Sequence, residues 1–135
     1  MSRFVLDASV AVAWLLDDED EVRAAAALAR IETEVALVPQ FWHLEVRNAL
    51  LGAERRGRIR VDEVNERMRS LGELPVRTDT EPQIGTAFAL ARTHGLSMYD
   101  AVYLELAQRS DAPLATLDKA LARAAGAAGL ALTEP

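Results

Sequence analysis

Arg3-Phe4-Val5-Leu6-Asp7-Ala8-Ser9 is the stretch from which the rest of the chain is read. Three consecutive apolar residues closed by an acid predict a short strand over Arg3–Leu6, buried on both faces. Burial on both faces is the habit of parallel sheets covered by helices. The following elements fit that reading. Ser9–Leu16 has helical composition and runs into the polar break Asp17-Asp18-Glu19-Asp20. A second helix, about Asp20–Glu32, carries its acids in the first turn, where the macrodipole favours them. Val35–Val38 reads as a strand ended by Pro39, and Gln40–Arg56 as a long helix with Gly57 at its C-cap. Val61–Leu71 is helical, and Leu74–Arg77 is a short edge strand, where Pro75 is tolerated. Thr80–His94 is a helix stopped by Gly95, and Ser97–Arg109 is another. Pro113–Thr116 is a strand, Asp118–Ala125 the last helix, and Gly129–Thr133 a candidate final strand. Strands alternating with helices give an α/β fold. With no repeat and no linker, residues 1–135 form one domain.

Composition narrows the function. A chain of 135 residues buries about two thirds of its unfolded surface and needs no staple to fold. It has no cysteine, which removes disulfides, thiolate zinc sites and cysteine nucleophiles. Its 15 basic and 21 acidic residues give a net charge of −6, against a general nucleic-acid coat with a basic stripe. An acidic site that first recruits a metal stays open. The start places Asp7 where a signal peptide would continue its apolar core. The longest apolar run, Val10–Leu16, is far short of the roughly 20 residues that span a bilayer. The expectation is a cytoplasmic protein with no membrane partner.

Ligands in parallel sheets collect at the carboxyl ends of the strands. Asp7 and Asp118 fall at or just past such ends. Glu45 and Asp100 lie on helices among apolar neighbours, in Phe41-Trp42-His43-Leu44-Glu45-Val46-Arg47-Asn48 and Ser97-Met98-Tyr99-Asp100-Ala101-Val102-Tyr103. Carboxylates are seldom fully buried unless paired or bound to a metal. Four converging at one sheet edge would repel one another, and hard Mg²⁺ or Mn²⁺, which prefers oxygen, relieves that repulsion. Each acid also has an ordinary role open to it. Asp7 and Asp118 can cap the helices they precede, Ser97-Met98-Tyr99-Asp100 is close to a capping box, and Glu45 with Asn48 can lie on a solvated face. Taken together, four such coincidences are the weaker explanation.

In these segments, together with Leu114-Ala115-Thr116-Leu117-Asp118, the chain resembles PIN-domain ribonucleases, and among them the VapC toxins of bacterial toxin–antitoxin pairs. The resemblance spans essentially the whole chain. It implies a three-layer α/β/α sandwich with a central, mostly parallel sheet of four or five short strands. It places the family's acidic quartet on Asp7, Glu45, Asp100 and Asp118. Asp7 and Asp100 are the expected direct ligands of Mg²⁺ or Mn²⁺, with Glu45 and Asp118 binding directly or through water. Ser9, Asn48 and Thr116 match supporting polar positions, which orient carboxylates and bound water. The implied activity is a metal-dependent endoribonuclease that hydrolyses RNA phosphodiesters by metal-activated water. The implied partners are RNA, a second copy of the chain, and a VapB-type antitoxin that blocks the site.

The residues add two further candidates. Arg55, Arg56, Arg58 and Arg60 form the one basic run and offer phosphate contacts, or equally a solvated helix end whose cations suit the dipole. Trp14, Leu15, Leu16, Phe41 and Trp42 offer apolar area for a partner groove, although aromatics at helical spacing are more often core. His43 and His94 receive no role. Two rivals stand beside the nuclease. One is a PIN fold acting only as an RNA- or protein-binding module, which the complete quartet argues against. The other is a phosphoryl-transfer enzyme with a nucleophilic aspartate, but Asp7 lacks a second Asp two residues on and Lys119 follows Asp118 in the wrong order.

Overall fold

The computed structural model describes residues 2–17 and 21–130. Strand β1 (Arg3–Leu6) leads into α1 (Ala8–Leu15), α2 (Glu21–Leu28) and a single 3-10 turn, Ala29–Glu32. Then come β2 (Val35–Pro39), α3 (Trp42–Arg55), α4 (Val61–Gly72), β3 (Val76–Asp79), α5 (Ile84–His94) and α6 (Met98–Ser110). The short β4 (Leu114–Ala115) and α7 (Lys119–Ala127) complete the described chain. The four strands form one sheet in the order β3-β2-β1-β4, and every pairing is parallel. The α/β expectation holds, with four strands and an all-parallel sheet.

Phe4, Val5 and Leu6 are completely buried, as the apolar triplet requires of a strand paired on both sides. Its register sets Val5 opposite Leu114 and Leu6 opposite Ala115, and the Asp7 N–H continues the ladder to Ala115 O at 3.0 Å. The chain leaves β1 toward β2 and β3 on one side and later returns to β4 on the other. The β1–β4 boundary is therefore the topological switch point, where α/β sheets open a crevice beyond their carboxyl ends. Helix α6 lies deep in the molecule: all seven residues from Ala101 to Ala107 are buried. A helix apolar nearly all round is an interior helix, and it presses against β1, β2, α5 and α7.

Element boundaries depart from the sequence reading in several places. The second helix breaks after Leu28 into the 3-10 turn. Strand β3 runs two residues later than Leu74–Arg77, pairing Val76 with Ala36 and Asp79 with Pro39; it is the expected edge strand. Helix α5 begins at Ile84 rather than Thr80. Pro82 biases Glu81 toward extended backbone, and the Gln83 N–H is taken by Glu105 Oε1 at 2.8 Å, so the helix starts beyond both. Gly129 lies in a left-handed turn at φ 77°, so no strand begins there. The rest of the candidate final strand, residues 131–133, and the acids Asp18–Asp20 lie outside the described residues.

Candidate active site

Asp7 directly follows β1 and is only 6% exposed. It occupies the N-cap position of α1 but makes no side-chain cap bond. Its Oδ2 instead accepts from Ser9 Oγ at 2.7 Å and from Thr116 Oγ1 at 2.6 Å. The same two hydroxyls hold the β4 end of the crevice, since Ser9 Oγ accepts from the Leu117 N–H at 3.0 Å and Thr116 Oγ1 from the Asp118 N–H at 3.0 Å. Asp118 does cap α7, accepting from the Leu121 N–H through Oδ1 at 3.0 Å. Two loops that are more than 100 residues apart are thus fastened to one carboxylate.

Helices supply the other two acids. Glu45 lies in the first turn of α3, and its Oε1 accepts from the buried Tyr103 hydroxyl at 2.8 Å. That hydroxyl also accepts from the Ala8 N–H at 3.3 Å. Asp100 sits in the first turn of α6, where its N–H donates to the Ser97 cap at 3.1 Å. The reciprocal side-chain bond of a capping box is not among the hydrogen bonds of the described residues, and the Asp100 carboxylate is left half-exposed.

Electrostatics tie the four together. Burial is the main cause that raises the Asp7 pKa above its ordinary value, its two hydroxyl donors oppose it, and the Asp118 charge adds to it. Burial likewise raises Glu45, helped by the charges of Asp7 and Asp100. Burial also raises Asp100, helped by Asp118 and Asp7. The Tyr103 phenol is pushed far up by burial and by the neighbouring carboxylates, so it stays a donor at any physiological pH. Among the described residues, no Lys, Arg or His forms an ion pair with any of the four acids. Like-charged carboxylates near one another disfavour their own ionisation, and nothing in the described chain neutralises them.

The PIN domain pattern matches residues 4–127. The chain belongs to the PIN domain family. It is 35% identical over 124 residues to a protein named Ribonuclease VapC3 from Pyrobaculum aerophilum, covering 89% of this chain and 92% of that one. In three dimensions it is similar to the Mycobacterium tuberculosis toxin VapC20, described as cleaving the sarcin–ricin loop, with a TM-score of 0.66, 14% identity and 98% and 99% of the two chains covered. It is also similar to VapBC2 of Rickettsia felis, solved bound to a DNA fragment from the promoter, with a TM-score of 0.67, 11% identity and 97% of each chain covered.

Within this PIN domain the remaining sequence candidates separate. Ser9 and Thr116 touch Asp7 directly. Asn48 has no side-chain hydrogen bond to the acids among those of the described residues: it is exposed and lines a broad hollow of about 600 Å³ with Phe41, Leu44, Glu45, Arg47, Leu51 and Tyr99. Arg55, Arg56, Arg58 and Arg60 are all exposed. They follow Glu45 by ten or more residues along or beyond α3, roughly 15 Å at 1.5 Å per residue, and Arg60 pairs with Asp62 at 3.1 Å. His43 turns away from the acids and bonds Thr78 Oγ1 through Nε2 at 2.8 Å. Of the apolar candidates, Leu15 and Trp42 are core, while Trp14, Leu16 and Phe41 are partly covered against it.

Sequence reasoning passed over Tyr103, a residue three after Asp100 and therefore on the same face of α6. It also passed over Leu44 and Tyr99, whose side chains are exposed in the hollow that Glu45 lines. A further miss is the ion-pair group of Asp79, Glu105 and Arg109, in which the buried Glu105 (2% exposed) is bonded by Arg109 Nε at 2.7 Å. One signal was available: a lone Glu inside an apolar helical run needs a partner, and an Arg four residues later is a standard one.

Proposed function

We propose that this PIN domain is a metal-dependent endoribonuclease that acts as the toxin of a toxin–antitoxin pair. The observation that carries the proposal is the gathering of Asp7, Glu45, Asp100 and Asp118 at the switch point of the sheet, where no Lys, Arg or His among the described residues forms an ion pair with any of them. The named relatives support the reaction class, since the P. aerophilum protein is called a ribonuclease and the M. tuberculosis toxin is said to cleave an RNA loop.

The donor set fits Mg²⁺ or Mn²⁺ by its chemistry: hard carboxylate oxygens whose mutual repulsion a divalent cation relieves. As placed, no three His, Cys, Asp or Glu side chains among the described residues make a ready-made ligand group. Asp7 and Asp100 are assigned as direct ligands, with Glu45 and Asp118 completing the site directly or through water. When bound, such an ion supplies a nucleophile at neutral pH and offsets charge on the transition state. The chain's own residues do the positioning. Ser9 and Thr116 hold Asp7 in one orientation, and Thr116 also holds the Asp118 backbone. Burial raises the pKa values of Asp7, Glu45 and Asp100 above their ordinary range, so cation binding at these acids would compete with protons.

The substrate reading extends to the surface. The hollow beside Glu45, with Tyr99 and Leu44 exposed in it, is assigned to RNA passing the acids, and the Arg55–Arg60 run to phosphates farther along the strand. A VapB-type antitoxin that blocks this site and a second copy of the chain are the assigned protein partners. A cytoplasmic location is part of the same proposal; no helix among the described residues is long and apolar enough to cross a membrane. The test is cleavage of total cellular RNA by the purified protein in Mn²⁺ or Mg²⁺ against EDTA, with Asp100→Asn prepared identically. Cutting that needs metal and is lost in the variant supports the proposal. Equal cutting by both proteins marks a contaminant, and metal binding without cutting favours a non-catalytic binding module.

A further inference from the structure

Tyr103 is the residue at this site whose placement asks for an explanation beyond packing. Its side chain is completely buried, and its ring is met edge-on by Phe41 at 5.5 Å with an interplanar angle of 90°. A buried tyrosine hydroxyl needs a partner. Here it has two, on two different elements: the Ala8 N–H, immediately after Asp7, donates to it, and it donates to Glu45 Oε1. The hydroxyl therefore joins the start of α1, the first turn of α3 and the interior of α6 at one atom. A glutamate on a half-exposed helix face is otherwise free to swing among rotamers. This contact engages one oxygen of Glu45 and leaves the other for a ligand.

Resting on the ribonuclease reading above, we infer that Tyr103 is a positioning residue that presents Glu45 to the cation site and fixes its distance from Asp7. Partners that orient a ligating carboxylate without touching the metal are worth about 10–100-fold in metal affinity or activity. A purely structural tyrosine would lower stability and leave metal affinity and turnover per folded molecule unchanged. The two roles are separable because Phe at 103 keeps the ring, its burial and its Phe41 contact, and removes only the oxygen.

The experiment is a double-mutant cycle of Tyr103→Phe and Glu45→Ala on the full chain. Mn²⁺ affinity is read by calorimetry, RNA cleavage as kcat and KM, and the melting temperature serves as the folding control. The expected result is that Tyr103→Phe weakens Mn²⁺ binding about tenfold and lowers kcat about tenfold, with the RNA KM within about twofold. In the Glu45→Ala background, the same change should cost nothing further, because the group that it positions is gone. Equal losses in both backgrounds, or a lower melting temperature with unchanged metal binding, would overturn the inference. A parent protein that binds Mn²⁺ but leaves RNA intact ends the ribonuclease reading alone, and the metal isotherms still decide the role of Tyr103. A parent that binds no Mn²⁺ overturns the positioning role directly.

Discussion

At the carboxyl end of β3, Asp79 is met by Arg109, which donates to both of its oxygens at 3.1 and 2.8 Å and to both oxygens of Glu105 at 2.7 and 3.2 Å. At the carboxyl ends of β1 and β4, Asp7 and Asp118 are met only by hydroxyls and backbone N–H groups. Both regions hold carboxylates at the same end of the same sheet. In the first, the chain supplies the cation itself, and the Gln83 N–H completes the network on Glu105. The Arg109 pKa is held above its ordinary value, first by Asp79 and then by Glu105. That group closes the structure, fastening β3 and the start of α5 to α6. In the second, the acids are oriented yet left uncompensated, and three of them have raised pKa values. Orientation without compensation costs stability in the isolated chain, and it is what a site for an external cation requires.

The comparison can be broken at either cluster. Asp100→Asn should reduce metal-dependent RNA cleavage about a thousandfold, the several kcal/mol that a cation site contributes to the transition state. Its melting temperature should stay level or rise, because a like charge has been removed; a large fall would make Asp100 structural. Arg109→Met should have the opposite profile. It leaves Glu105 buried and unpaired, and should cost about 3 kcal/mol of stability, read by urea titration. Cleavage per folded molecule should change little.

Metal and pH should separate the clusters next. A carboxyl pKa raised by folding means that the native state binds protons more tightly than the unfolded chain. Its contribution is favourable at low pH and is lost as pH rises through the native value. Asp7, Glu45 and Asp100 therefore destabilise the metal-free protein at pH 7 relative to mildly acidic pH. Mn²⁺ at a hundred times its Kd should restore about 2.7 kcal/mol at pH 7 and less near pH 5, by thermal melts with and without EDTA. A pH-independent metal effect would detach binding from these acids. Smaller still, Thr116→Val should cost about 1 kcal/mol and weaken Mn²⁺ binding, by calorimetry, since it removes one of two hydroxyls on Asp7. Smallest, Arg55→Ala with Arg58→Ala should leave stability within about 0.5 kcal/mol. It should weaken RNA binding a few-fold and flatten its salt dependence, measured by fluorescence anisotropy; unchanged binding would take the basic run out of the RNA path.

Much of the architecture was legible because it follows from local rules. The triplet Phe4-Val5-Leu6 could be buried only as an inner strand, Gly57 and Gly95 marked helix ends that occur with φ of 71° and 64°, and the four acids were found from their places beside apolar runs. Helix starts were less legible. Thr80 lost its place in α5 to Pro82 and to the hydrogen bond that the Gln83 N–H donates to Glu105, 22 residues farther along, a contact that no local window contains.

What the sequence by itself determined is the set of elements, their α/β alternation and the identity of the acids, because periodicity and strand ends are properties of neighbouring residues. What only the tertiary structure decided is which charges are compensated. Asp79 and Arg109 are 30 residues apart and Asp7 and Thr116 are 109 apart, and chain order says nothing of which polar group reaches which. Tyr103 shows the same limit most plainly. Its spacing marks it as one more core aromatic, and only the packing of α6 against β1 and α3 brings its hydroxyl to Glu45.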